Sequence, residues 1–430
     1  MRHDSGQDLV AYRYLEEEDI DMQDRQLYQQ ILGIVSPWFV SRVELDLEAG
    51  EVHVYLEHQE EASWRCPECG ETCPLHDHQE ERTWRHLDTC QYRTVLHAEL
   101  PRTRCEEHGV RVVRIPWAGP YGRFTAWFER LVIDWLQAAS QQAVADRMGL
   151  SWDEVHGIME RAVKRGLARR EAEPIPHVGV DEKSFRKRHR YVTVVSDIDR
   201  GRVLYVAEDR KQKSLDGFWP TLTKEQLASI EGVAMDMWEP YINSTQAHLP
   251  EAEEKIVFDK FHVAKHLGEA VDKVRRGENK QLREVGDDRL VGTKYDWLKG
   301  RDKFGQKGWR AFCRLRRGNL KTSRAWAMRE QAMKLWDYRY RGAAENHFRW
   351  WYRWATHSRL EPMIEKAKML KSHLKNILNY LTQPITNALS ESLNSKIQWV
   401  KYTARGFRNR DNFKIAIYFH CGGLDLLPAT

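Results

Sequence analysis

No stretch of about 18 apolar residues occurs anywhere in the 430-residue sequence, so no membrane-spanning helix is expected. The opening residues, MRHDSGQDLV, have no apolar signal-peptide core, and the mean hydropathy is −0.69. A soluble protein that stays in the cytoplasm is the expectation. Cysteine is scarce: seven in the whole chain are too few for a secreted disulfide scaffold. Four of the seven fall between Cys66 and Cys90, which points to a metal site instead. Internal repeats and low-complexity tracts are missing as well, which speaks against a repeat architecture. At roughly 150 residues per domain the length implies two to four units.

Positive charge is absent where the chain begins and abundant later. Residues 1–65 hold 15 acidic and 5 basic residues, a balance of −10, so with a total of +5 the remainder carries about +15. Residues 271–360 alone hold 24 Lys+Arg against 10 Asp+Glu. A polyanionic partner is implied, although such a surplus also suits a solvated surface.

Trp38 to Glu57 alternates apolar and polar residues around Ala49-Gly50 and reads as a β-hairpin. Helical spacing takes over between Glu129 and Arg170 and ends at the proline-bearing REAEPIP, which places a domain boundary near residue 173. Short β-rich runs then follow (HVGV, RYVTVVS, RVLYVAE, GVAMD, KIVFD), alternating late on with helical stretches, the pattern of a mixed α/β sheet. Residues 262–384 contain no convincing strand and are dense in Arg, Lys and Trp, so an all-helical insertion is expected. The organisation is therefore a hairpin region over 1–60, a metal-binding β region over 61–120 and a helix-turn-helix over 121–172. An α/β core follows over 173–265, then the helical insertion over 266–384 and a return to the core over 385–425.

Cys66-Pro-Glu-Cys69 and Cys105-Glu-Glu-His108 are two knuckles separated by 35 residues, each able to place two ligands on one side of a tetrahedral metal. Three thiolates and an imidazole suit a structural zinc. Cys73, His76 and His78 compete for the same role, and buried structural thiols are the plainer alternative.

The run QQAVADRMGLSWDEVHGIMERAVKRG has the marks of a helix-turn-helix. Ala145 allows close helix packing, Gly149 permits a positive φ at the turn, and Val144, Met148, Leu150, Val155 and Ile158 supply a small core. Ser151 can cap the second helix, whose outward residues would be Trp152, His156, Arg161, Lys164 and Arg165, a set able to enter a major groove. An ordinary helical hairpin is the alternative.

Phosphodiester cleavage with two divalent ions needs carboxylates that flank the metals, and Asp and Glu are the hard ligands that magnesium prefers. Asp181 ends the apolar run of VGVD and Asp236 that of GVAMD. Glu391 stands out more sharply: residues 366–410 hold nine Lys+Arg and no other acidic side chain. On its helix Asn387, Glu391, Asn394 and Gln398 share one face, while Leu389, Leu393, Ile397 and Val400 form the apolar one. Glu182, Asp197, Asp199 and Asp259 are rivals, and Asp259 is the closest because it ends the strand-like KIVFD just before Phe261-His262.

At this point CPECG, RVVRIPWA, VGVDEKSF, MDMWEPYI, FDKFHVAKHL, SESLNSKI and ARGFRN, in this order, make the chain resemble the ISL3 family of bacterial insertion-sequence transposases. The resemblance implies a ribonuclease-H-like core in which Asp181, Asp236 and Glu391 hold two magnesium (or manganese) ions. Asp236 and Glu391, 155 positions apart, would then bracket the helical insertion. It also implies support from Asp259 and His262, with Asn387 and Asn394 beside the glutamate. The cysteine knuckles and the helix-turn-helix stand where the family binds zinc and DNA. Binding of terminal inverted repeats, strand cleavage and strand transfer would follow, by a dimer or larger assembly on DNA associated with the bacterial nucleoid.

Seven tryptophans lie between Trp297 and Trp354, interleaved with Arg and Lys. They could stack on unpaired bases or simply form a helical core; Trp350, Trp351 and Trp354 cannot all face one way. Two other functions remain open at this stage, a non-catalytic DNA-binding regulator and a nuclease without strand joining.

Overall fold

The structure is a computed structural model that describes residues 17–120, 122–186, 190–258, 260–385, 388–407 and 409–429. The chain forms two compact units, Met1–Arg169 with Asp425–Thr430, and Arg170–Leu424.

The first unit opens with α1 (Glu17–Ile31), β1 (Trp38–Asp46) and β2 (Glu51–His58). The hairpin turn closes because the Asp46 carboxylate accepts from the amides of Glu48 and Ala49 and because Gly50 takes φ +68°. Short strands follow: β3 (Trp64–Arg65), β4 (Thr72–Cys73), β5 (Leu75–His78), β6 (Arg82–Arg85), β7 (Arg93–Ala98), β8 (Pro101–Cys105) and β9 (Gly109–Val112). One sheet has the order β1-β2-β7-β6, with β2 and β7 parallel. Trp38, Trp64, Trp84 and Trp117 fill its core, Trp38 meeting Trp117 edge-on at 4.9 Å. A second sheet, β5-β8-β9, and the β3-β4 pair carry the cysteine segments.

Three helices complete this unit: α2 (Ala126–Ala138), α3 (Gln141–Met148) and α4 (Trp152–Ala168). Each starts at a hydroxyl cap, Thr125, Ser140 and Ser151, and Ser151 forms a reciprocal capping box with Glu154. Gly149 ends α3 in the left-handed region at φ +64°, and Val144, Ala145, Val155 and Ile158 are buried between the helices.

The second unit is built on a five-stranded sheet of β10 (His177–Arg186), β11 (Arg190–Asp197), β12 (Arg202–Glu208), β13 (Gly232–Met235) and β14 (Ile256–Phe258). The order is β12-β11-β10-β13-β14; the first three strands are antiparallel, and β13 and β14 run parallel to β10. Between β12 and β14 come α5 (Gln212–Asp216), α6 (Lys224–Ser229), α7 (Glu239–His248) and α8 (Ala252–Lys255). Strand alternation gives the sheet two apolar faces. Val178, Val180 and Val195 pack with Phe218, Trp219, Tyr241 and Ile242 on one side. On the other, Phe185, Val192, Val194 and Val206 meet Leu393, Ile397, Phe413 and Ile417.

The segment after β14 holds no strand among its described residues and is built of helices joined by loops: α9 (Lys260–Glu284), α10 (Lys294–Leu298), α11 (Gln306–Arg316), α12 (Lys321–Met333), α13 (Arg341–Thr356), α14 (Glu361–Ser372) and α15 (Leu374–Asn379). The chain returns to the sheet as α16 (Ala388–Thr403) and α17 (Arg410–Cys421). Of the three neighbouring tryptophans on α13, Trp351 is 1% exposed and lies in the core, whereas Trp350 is 55% exposed.

Candidate functional site

The central observation is a matter of register. Strand β10 pairs in parallel with β13, Gly179 lying opposite Ala234. Asp181 and Asp236 each stand two residues beyond that pair, Asp181 still within β10 and Asp236 just past the end of β13, so the sheet carries both aspartates toward the same end of adjacent parallel strands. Gly179, Asp181, Ala234, Met235, His262 and Asn394 are among the residues lining a cleft of about 460 Å³.

Asp181 is held from three directions. Its Oδ1 accepts from the Glu182 amide at 2.7 Å, and its Oδ2 accepts from Lys183 Nζ at 2.6 Å and from Asn394 Nδ2 at 3.0 Å. Lys183 lies two residues along β10, on the same face, and is buried. Asn394 comes from α16, whose apolar side, Leu393, Ile397 and Val400, is buried. Asp236 faces two imidazoles of α9, with His262 Nδ1 3.4 Å and His266 Nε2 3.7 Å from its oxygens, and its Oδ1 accepts from the Met237 amide at 2.7 Å. Partial burial works to raise its pKa. The two imidazoles and the amide outweigh that and hold the carboxyl down at about 2, so Asp236 is ionised at neutral pH. His262 Nδ1 is itself buried without a hydrogen-bond partner among the described residues. Two carboxylate side chains, one on β10 and one just past the end of its parallel neighbour β13, are of the kind that a hard divalent cation prefers.

Glu391 lies on α16 one turn before Asn394; its side chain, like Asp259 and Asn387 as a whole, falls outside the described residues. The other rivals are committed elsewhere. Asp197 is fully buried and bound by Arg200 and Arg202, Asp199 pairs with His177 at 2.9 Å, and Glu182 faces Arg210 at 3.3 Å. Sequence reasoning missed Lys183 and His266. The first is signalled only by its i+2 place on the strand, the second by its i+4 place after His262 on one helix face.

Four ligand atoms of Cys66, Cys69, Cys105 and His108 lie within 4.8 Å of one another. Cys69 and Cys105 sulfurs are 3.7 Å apart, and His108 Nδ1 is 3.6 Å from the Cys105 sulfur and 3.9 Å from that of Cys66. A tetrahedral zinc with bonds of about 2.3 Å to sulfur sets its sulfurs about 3.8 Å apart, so the spacing fits that ion. Cys73 is buried beside the cluster but donates to the Glu71 carbonyl at 3.4 Å. His78 stacks on His58 with nitrogens 2.7 Å apart, and His76 sits 4.0 Å from Asp77.

On α4 the five residues expected to face outward divide. Lys164 is exposed and makes no ion pair among the described residues. Trp152 and His156 are half-buried and stack on each other at 4.9 Å. The two arginines already have partners within the unit: Arg161, still partly exposed, is tied to Glu129 of α2, and Arg165 donates to the Leu426 carbonyl at 2.7 Å and lies 3.9 Å from Glu129. Glu129 is buried and needs its cations, so neither guanidinium is freely presented.

Comparison with known proteins agrees with this layout. Residues 178–417 match the DDE transposase family of ISL3 elements, described as a transposase. Residues 62–108 match the zinc finger of transposases IS204/IS1001/IS1096/IS1165, and residues 113–163 the helix-turn-helix domain of transposase family ISL3. The transposase for insertion sequence element IS1001 of Bordetella parapertussis is 30% identical over 401 residues, 92% of this chain and 98% of that protein. The transposase for insertion sequence element IS1557 of Mycobacterium tuberculosis is 26% identical over 417 residues, 90% and 93% of the two chains.

A zinc ribbon, a helix-turn-helix and a paired-aspartate α/β unit, in that order, define a DNA-binding transposase of the DDE class, an enzyme that uses magnesium or manganese and carries a structural zinc. The chain belongs to the ISL3 family of such transposases. The regulator without catalysis is thereby not favoured. Among the described residues no helix is long and apolar enough to cross a membrane.

Proposed function

We propose that the chain binds the terminal inverted repeats of an insertion sequence through its zinc ribbon and helix-turn-helix, and that it cuts and joins DNA strands at the Asp181–Asp236 cleft. The parallel pairing of β10 with β13, which carries Asp181 and Asp236 toward the same end of two adjacent strands, supports this reading most strongly. The second unit is read as a ribonuclease-H-like core. Its sheet runs third-second-first-fourth-fifth in chain order, with the first aspartate on the first strand and the second at the end of the fourth. Asp181, Asp236 and Glu391 are the proposed metal ligands, with Asp259, His262, Asn387 and Asn394 in support.

When bound, the divalent ions activate the attacking water or 3′-hydroxyl and stabilise the leaving oxygen. The protein's own part is to place and charge the carboxylates. Lys183 and Asn394 fix one oxygen of Asp181, while the imidazoles of α9 keep Asp236 ionised. Hydrolysis frees a 3′-hydroxyl that then attacks target DNA, and the same cleft serves both in-line displacements by exchanging nucleophiles. Cys66, Cys69, Cys105 and His108 are the proposed zinc ligands. Trp152, His156 and Lys164 are the residues of α4 best placed for DNA, with Arg161 and Arg165 bracing the helix. Two element ends must meet, which favours a homodimer or larger assembly on DNA, and hence a place at the bacterial nucleoid. Incubating the protein with labelled element ends, a target plasmid and Mg²⁺ distinguishes binding, nicking and joining by their products. Joined products are expected, and nicking alone would reduce the proposal to a nuclease.

A further inference from the structure

A cavity of about 1550 Å³ in the second unit is a groove between α9, α10, α11 and α12. It shares Phe261 with the Asp181 cleft, and that ring is 60% exposed, so groove and cleft meet at one side chain. Lys265, Arg301, Arg316 and Lys334 line the groove, and none of them pairs with a described carboxylate. Unpaired cations concentrated in a concavity mark it for a polyanion.

The aromatic side chains make the polyanion more specific. Arg301 and Arg316 lie over Trp309 at 5.4 and 5.6 Å, and Arg316 also lies over Trp326 at 5.3 Å. Phe304 continues the aromatic wall 5.8 Å from Trp309. An indole and a guanidinium both stack on flat groups, and an unpaired base offers a free flat face while a paired one does not. Arg329, a further lining residue, is 9% exposed; its Nη1 donates to Glu330 at 2.9 Å, while its Nε has no hydrogen-bond partner among the described residues. It is a buried donor beside the groove awaiting an acceptor.

We infer that this groove binds an unpaired stretch of DNA strand running on from the catalytic cleft past Phe261, with phosphates on the lysines and bases against the Trp309–Arg316 stack. The inference rests on the DNA-cutting function proposed above, since another substrate would leave no strand to receive.

The test uses the full chain and two probes, a labelled oligothymidylate and the same strand annealed to its complement, titrated by fluorescence anisotropy without divalent metal. Arg301→Ala with Arg316→Ala should weaken single-strand binding about tenfold or more and leave duplex binding within about twofold. Lys265→Gln with Lys334→Gln, at two exposed sites, should lower the slope of single-strand affinity against salt by about 1.4 for two lost phosphate contacts, and settle the matter if the arginine variant does not fold. Unchanged single-strand affinity in the variants, or equal losses on both probes, would overturn the inference. Cleavage of element ends, measured separately on the wild-type protein, shows whether a failure belongs to the groove or to the underlying function.

Discussion

Asn394 donates to the Asp181 carboxylate at 3.0 Å, joining a helix to a strand 213 residues earlier. That bond ties the position of α16, and with it the backbone at Glu391 one turn away, to the first aspartate. Replacing Asn394 by Ala should cost about 1 kcal/mol of stability and slow cleavage by about tenfold or more, because the site loses its positioning bond while every carboxylate stays. End binding should be unaffected. Parallel band-shift and nicking assays check this, and equal cleavage rates would remove Asn394 from the site.

Zinc should be present at one ion per chain. Cys66→Ser or Cys105→Ser should release it and weaken end binding, because the ribbon's strands β3, β4, β8 and β9 are short and depend on the ion for their folding. Cys73→Ser should retain the metal, since its thiol is engaged with the Glu71 carbonyl instead. Metal analysis of the three variants decides; loss of zinc from the Cys73 variant alone would move the ligand set.

Lys164 and Ser151 should separate binding from stability. Lys164→Ala is expected to weaken DNA binding with little change in thermal stability, because its ammonium is exposed and unpaired among the described residues. Ser151→Ala should cost about 1 kcal/mol through loss of the capping box on α4. Arg161→Ala should also destabilise, by leaving buried Glu129 short of a partner. Thermal melts alongside band shifts test all three, and a Lys164 variant that binds normally would place the DNA surface elsewhere.

Stability should fall with acid in a window set by His86. Burial, and secondarily the charge of Arg85, push this imidazole down to about 4. The unfolded chain takes up the proton near pH 6.5 and the folded one only near 4. The contribution of neutral His86 is therefore complete above about 6.5 and drains as the pH falls toward 4, by roughly 3 kcal/mol in all. Urea melts across that range should show the slope in the first unit and its flattening in His86→Phe. His420, also near 4 through burial and Lys396, predicts a similar slope for the second unit.

Local pattern carried much of this architecture. The β1–β2 hairpin, the capped α3–turn–α4 and the five β-rich runs are each visible within a few residues, because alternation, a glycine at positive φ and a hydroxyl cap act over short distances. What escaped was whatever depends on distant partners. Arg161 and Arg165 look free on a helical wheel, yet Glu129 lies on another helix and Leu426 arrives from the C-terminal end. His266 becomes part of the site only because α9, which begins after β14, brings its imidazole within 3.7 Å of Asp236. The tryptophans of the insertion divide between core and surface, as Trp351 and Trp350 show, since neighbouring positions on a helix point about 100° apart.

The central claim is that Asp181, Asp236 and Glu391 form the catalytic set. Its most direct measurement is cleavage and strand transfer on labelled element ends with Mg²⁺, comparing Asp181→Asn, Asp236→Asn, Glu391→Gln and Asp259→Asn. The expected result is that the first three bind the ends like the wild type and neither cut nor join. Full strand transfer by the Asp236 variant, together with its loss in the Asp259 variant, would contradict the assignment.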